Sequence, residues 1–334
     1  MKTIAFTTTI PQEYIWASGN IPLDLNNYFI TKTPHDFIKN GEKMGMPRNT
    51  CSWIKGLLGA MEEIKDTVSA IIAVTEGDCS NNHSLINLYQ YYYPKIDIIS
   101  FSYPTDKNPE KLQIELDKLG RYFGINHTEV NHTKASLDAI RLKIKQFDTL
   151  QSNNHVLPAT LIQQKLVASS DFNGNYKQYE LEIDAHIKEL SGLNNRDQHR
   201  LKIGCMGVPT IITDLFDYLE GSFPIDITFF EVEQDFCMYD TNKSILEQYL
   251  HFKYPYDIFT RINHIKKEIK SRGLKAIIHY TQSFCHRQID DILIHKLLGV
   301  PVLTIEGEAP DPLDMRTKNR IECFMENIID ITGG

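Results

Sequence analysis

Short β-rich runs separated by longer amphipathic ones constrain the fold of this 334-residue chain more than any other feature. The runs at 3–8, 69–75, 96–101, 201–204, 226–232, 276–281 and 300–305 are rich in Ile, Val, Thr and Phe. Between them, segments 52–65, 109–123, 256–272 and 287–298 carry apolar residues at helical spacing. Strands that alternate with helices are joined by crossovers, and crossovers make parallel sheets. The expected fold is therefore α/β, with two doubly wound, Rossmann-like parallel-sheet domains. They are expected at 1–150 and 201–334. The stretch 151–200 reads as a helical connection, with turn-forming Asn153-Asn154, Asn173-Gly174 and Asn194-Asn195 at its joints.

Net charge is −8. A broad nucleic-acid surface needs a clustered positive field, so nucleic acid is not an expected partner. The opening Met1-Lys2-Thr3-Ile4 lacks the pattern of a secretory leader, and no run is apolar enough to span a bilayer. The expectation is a cytoplasmic protein with reduced thiols. Neither G-x-x-x-x-G-K-[ST] nor G-x-G-x-x-G occurs, so no nucleotide cradle is evident.

The six cysteines are scattered, with no C-x-x-C pair, which disfavours a zinc ribbon or thioredoxin-type site. Three share a kind of position. Cys51 opens a predicted helix in Cys51-Ser52-Trp53. Cys79 follows a predicted strand in Glu76-Gly77-Asp78-Cys79-Ser80, and Cys285 follows another in Gln282-Ser283-Phe284-Cys285-His286. The carboxyl edge of an open α/β sheet is where ligands bind. A helix N-terminus presents free N–H groups and is expected to lower a thiol pKa, favouring the metal-binding thiolate. Four thiolates usually hold a 4Fe–4S cluster, and three would leave one iron open. Taken singly, a cysteine more often means core packing. Cys205 and Cys237 read as structural, and Cys323 as packing within the terminal helix.

These segments together resemble the 2-hydroxyacyl-CoA dehydratase subunit family, which includes benzoyl-CoA reductase subunits. The likeness runs in order through Thr9-Ile10-Pro11-Gln12-Glu13, Ala17-Ser18-Gly19-Asn20-Ile21-Pro22, the Cys51 and Cys79 segments, and Tyr254-Pro255-Tyr256. It continues through Ile278-His279-Tyr280-Thr281-Gln282-Ser283-Phe284-Cys285-His286-Arg287, Leu303-Thr304-Ile305-Glu306-Gly307-Glu308 and Leu313-Asp314-Met315-Arg316. The resemblance implies a 4Fe–4S cluster on Cys51, Cys79 and Cys285, in the cleft between the domains, with acyl-CoA bound at the open iron. It also implies a separate ATP-dependent activator and assembly as a homodimer or with a paralogous second subunit. In the dehydratases the injected electron makes a ketyl radical that expels the hydroxyl group and is then recovered; in the reductases it is consumed. Other relatives carry a double-cubane cluster and reduce small molecules. A cluster-bearing electron-transfer or accessory subunit is a further alternative. Ser18, Glu76 and Glu306 are the candidate catalytic groups, with helix capping and structural roles as their ordinary readings.

Overall fold

The structure, a computed structural model, describes residues 1–154, 157–192 and 200–332. Among the described residues, eight strands form two sheets. In chain order they are β1 (Thr3–Phe6), β2 (Ile21–Asp24), β3 (Val68–Glu76), β4 (Asp97–Ser102), β5 (Leu201–Gly207), β6 (Ile225–Phe230), β7 (Ala276–Gln282) and β8 (Val302–Gly307). The first sheet has the order β2-β1-β3-β4 and the second β6-β5-β7-β8, with every pairing parallel. The expected α/β architecture is thus present, and both sheets follow the same strand order. Helices cover the faces, and every residue of β6 and β7 is buried. Burial on both faces is why these strands read as apolar runs rather than alternating ones.

Four sequence expectations differ in detail. β2 gave no strand signal because Ile21-Pro22-Leu23-Asp24 is short and holds a proline. Proline is tolerated there because β2 is an edge strand. The run 226–232 ends early: Glu231 opens the helix Glu231–Phe236. The helix expected over 287–298 is a 3-10 turn, His286–Asp290, followed by Asp291–Leu297. Asn153 and Asn154 lie in the last turn of the helix His127–Asn154 rather than in a loop. Asn173-Gly174 does form a turn, with Asn173 at φ 51°. Asn194-Asn195 lies outside the described residues.

One helix–helix contact places a site residue. The helix Pro34–Lys43 lies against Ser52–Ile64, whose N-cap is Cys51. Two glycines permit the approach. A Cβ on Gly59 would stand 1.9 Å from the Phe37 carbonyl oxygen, and one on Gly41 would stand 2.2 Å from that of Lys55. Gly56 makes room for a different helix: a Cβ there would meet the ring of Phe29, on Leu25–Thr31, at 2.1 Å. Lys55 then bridges the pair, donating its Nζ to Glu42 Oε1 at 2.8 Å and to the Arg48 carbonyl at 3.1 Å.

An exposed helical Gly→Ala change gains about 1 kcal/mol from propensity. At Gly59 the clash is with backbone, which cannot rotate away, and overpacking of this kind costs about 1–3 kcal/mol. Gly59→Ala is therefore expected to lower the urea midpoint. Gly221→Ala, where a Cβ meets nothing within 4 Å, is expected to leave it unchanged or raise it.

Candidate functional site

In each sheet the first strand lies between the second and third, so the chain direction switches between β1 and β3 and between β5 and β7. The crevice at such a point, beyond the carboxyl ends of the strands, is the ligand position of open α/β sheets. Here the two crevices open on one cavity. Its wall includes Thr8 and Thr9 after β1, Asp78, Cys79 and Asn82 after β3, Val208 and Pro209 after β5, and Gln282 at the end of β7 with Phe284 to Arg287 beyond it. Cys51, Trp53, Ile54 and Leu57 from the helix Ser52–Ile64 complete one side, and Phe236 and Tyr254 line it as well.

Cys51, Cys79 and Cys285 all line this cavity, and each is the N-cap of the helix that follows it. Cys79 stands three residues beyond β3 and Cys285 three beyond β7, so they occupy matching places in the two sheets. The Asn81 amide donates to Cys79 Sγ at 3.4 Å. The amides of Ile54 and Trp53 act on the Cys51 thiol, and that of Arg287 on Cys285, in the same sense. The three thiols also feel one another: Cys285 disfavours ionisation of Cys51, and both disfavour that of Cys79.

The expected fall in thiol pKa does not occur. Burial raises all three, and the helix amides offset it only in part. Cys79 is pushed up to about 11 by burial, with Asp78 and the other two thiols adding to it. Without a metal these sulfurs hold their protons.

A polar network lies beside them. The Asp78 carboxylate accepts from the Cys79 amide at 2.7 Å, from Tyr254 Oη at 3.4 Å, and from Thr8 Oγ1 and Asn82 Nδ2. Burial lifts its pKa to about 6, against the hydrogen bonds and the Arg287 charge. The Arg287 guanidinium lies 4.6 Å over the Tyr254 ring and donates to the Tyr254 carbonyl at 2.8 Å. Behind the second sheet's edge, buried Arg261 grips Glu231 with bonds of 2.7 and 2.9 Å. Glu231 in turn accepts from the Gly207 amide at 3.1 Å.

The family described as 2-hydroxyglutaryl-CoA dehydratase, D-component, matches residues 7–328. The chain belongs to that family. No curated protein sequence matches it. Among solved structures, the SBP FpvC from Pseudomonas aeruginosa in complex with Mn2+ aligns over 98% of this chain and 96% of its own. Identity is 12% and the TM-score 0.21, too low to carry any argument.

For a member of the D-component family, the question is whether the cavity residues suit the thiolate-bound cluster that the resemblance implies. The donor set does: three thiols line the cavity, each with helix amides acting on it, and the Arg287 and Arg261 charges favour the thiolate of Cys285. Among the described residues, no three His, Cys, Asp or Glu side chains stand close enough to share a single metal ion. Cys205 and Cys237 do not line the cavity. Both are buried, and Cys237 Sγ accepts from Ser169 Oγ at 3.3 Å. Cys323 was expected to pack, but it is exposed, because it lies on the outer face of the helix Met315–Thr332.

Cys51, Cys79 and Cys285 line one cavity, and the other three candidates lie elsewhere. Ser18 caps the end of a short helix, donating to the Ile15 carbonyl at 2.7 Å. Glu76 accepts from the Thr105 amide at 2.9 Å, and Glu306 is exposed on β8. None of the three lines the cavity. The sequence reading missed Thr8, Trp53, Tyr254 and Arg287 as site residues. Tyr254 and Arg287 sit inside segments that carry the family resemblance, which was the available signal.

Burial makes a chemical prediction for the metal-free protein. Alkylation of Cys79 by iodoacetamide, mapped by mass spectrometry, is expected to keep accelerating up to pH 10, because its thiol titrates near 11 rather than near the ~8.5 of a free cysteine. A rate that levels off below pH 9 would contradict the burial argument.

Proposed function

We propose that this chain is the iron–sulfur component of a 2-hydroxyacyl-CoA dehydratase, with a 4Fe–4S cluster held by Cys51, Cys79 and Cys285. The observation that carries the reading is that three cysteines at helix N-cap positions, one following β3, one following β7 and one opening the helix Ser52–Ile64, face one cavity. Membership of the family makes the chain a component of a dehydratase-type enzyme. When bound, such a cluster would supply a low-potential electron and, at its one open iron, a Lewis acid for the thioester.

The chain's own residues then have definable tasks. The helix amides at Cys51, Cys79 and Cys285 favour the thiolate charge that burial opposes. Trp53, Ile54, Leu57, Val208 and Phe236 give the cavity apolar walls that exclude water from reactive groups. Asp78 titrates near 6 and can hold or release a proton at a carboxylate oxygen beside the site. With no phosphate-binding loop in the sequence, ATP-driven reduction falls to a separate activator. The absence of Cys205 and Cys237 from the cavity wall favours a single cubane over a double one. A homodimer or a pair with a paralogous subunit is the assembly that the reading carries.

Anaerobic reconstitution with iron and sulfide tests it. About four irons per chain are expected, as for a single cubane. Cys51→Ala, Cys79→Ala and Cys285→Ala should each lose most of the iron, whereas Cys323→Ala retains it. Full iron in Cys285→Ala would contradict the reading.

A further inference from the structure

Phe284 combines two features that a folded chain ordinarily keeps out of one residue. Its φ is 65°, in the left-handed region where a Cβ crowds the following carbonyl. It is also 54% exposed, although its side chain is a large apolar ring. The residue stands immediately before Cys285, on the wall of the cavity that the three thiols share. A residue that lines a cavity and is half in water sits at that cavity's rim. Backbone strain persists only where the surroundings impose it, and it gathers at sites with a conformational task.

The turn that carries Phe284 supplies a way for the ring to move. The Cys285 amide donates to the Gln282 carbonyl at 3.0 Å and closes a four-residue turn over 282–285. Phe284 is the third residue of that turn, and Ser283, the second, is not left-handed. That pattern is a type II turn, in which the third position ordinarily takes glycine. Types I and II differ by rotation of the central peptide, here the one between Ser283 and Phe284. Among the described residues, neither the Ser283 carbonyl nor the Phe284 amide has a hydrogen-bond partner to resist that rotation. Rotation takes Phe284 to a φ of about −90°, relieves the strain and swings the ring. The frame on either side is fixed. The Ser283 amide donates to the Gly307 carbonyl at 2.9 Å, and the Gln282 side chain accepts from Tyr280 Oη at 2.9 Å. Downstream, Arg287 is tied to the Tyr254 carbonyl at 2.8 Å. One residue can thus turn between two anchored ends.

We propose that Phe284 is a lid on the cavity: in the left-handed turn its ring closes the rim beside Cys285, and rotation of the peptide before it opens the rim to solutes. The inference goes beyond the cluster reading and stands whether or not the thiols hold a metal group. A lid of this kind keeps water from a reactive cavity between one entry and the next.

Alkylation of the metal-free protein at one fixed pH tests this, with iodoacetamide and with a bulkier N-aryl maleimide, each thiol being followed by mass spectrometry. Phe284→Ala is expected to speed modification of Cys79 and Cys285 several-fold. The gain should be larger for the maleimide, because loss of a lid matters most to the larger reagent. Cys323, exposed on the terminal helix, is the internal standard and should react at the wild-type rate. Phe284→Trp restores a large ring and should return both cavity thiols to the wild-type rate or below. Phe284→Gly should melt no lower than wild type, because the turn takes glycine without strain. Unchanged rates in Phe284→Ala would overturn the proposal. So would equal acceleration of both reagents, which reports a change in thiol acidity rather than in access. A lower melting temperature in Phe284→Gly would make the ring a packing group and overturn it too.

Discussion

The site depends on an opposition between burial and helix polarity. Three helices begin at one cavity, and the first turn of a helix presents N–H groups that have no partner inside it. Those groups favour negative charge at Cys51, Cys79 and Cys285, while the surrounding apolar wall opposes it. Burial wins as long as the thiols are alone, as the rise of Cys79 to about 11 shows. A cationic metal centre reverses the balance, because it ionises the sulfurs outright and binding releases their protons. The cavity is thus poorly suited to a reactive free thiolate.

Everything that fixes the three helix starts contributes to that balance. Matching strand orders bring Cys79 and Cys285 to the same place in each sheet. The glycine-mediated contact between Pro34–Lys43 and Ser52–Ile64 sets the third. Across the cavity the sheets are joined by side chains: Asp78 follows β3, Arg287 follows β7, and Tyr254 touches both. The Glu231–Arg261 pair stiffens the second sheet's edge. Burial would raise the Glu231 carboxyl, but Arg261 outweighs it and holds it below the usual range. Its stabilisation is therefore present above about pH 4.5 and is lost as pH falls through the lower folded value.

Much of this was legible in the sequence. Parallel sheets followed from the alternation of strand and helix periods, and Cys79 and Cys285 could be placed because each directly follows a strong strand signal. Cys51 was harder, since it follows no strand and reaches the cavity only through helix packing that local periodicity does not encode. β2 was hidden by its length and its proline. The thiol shift was misjudged because a helix N-terminus is a local feature, whereas desolvation depends on which distant residues close over the sulfur. Tyr254 and Arg287 escaped for a similar reason: a guanidinium lying on a ring 33 residues away in sequence is a product of the fold. Ser18 ends a helix and Glu76 and Glu306 lie in strands, where their side chains hold the backbone or face outward.

The central claim is that Cys51, Cys79 and Cys285 present three thiolates, and no fourth, to one cluster. Mössbauer spectroscopy of protein reconstituted anaerobically with 57Fe tests it most directly, because the isomer shift and quadrupole splitting of each iron depend on its ligands. The expected spectrum of the loaded protein has one iron distinguishable from the other three, and that iron alone changes when a 2-hydroxyacyl thioester is added. Four equivalent irons that ignore the thioester, or a spectrum with no cluster signal from protein shown to be folded, would contradict the account.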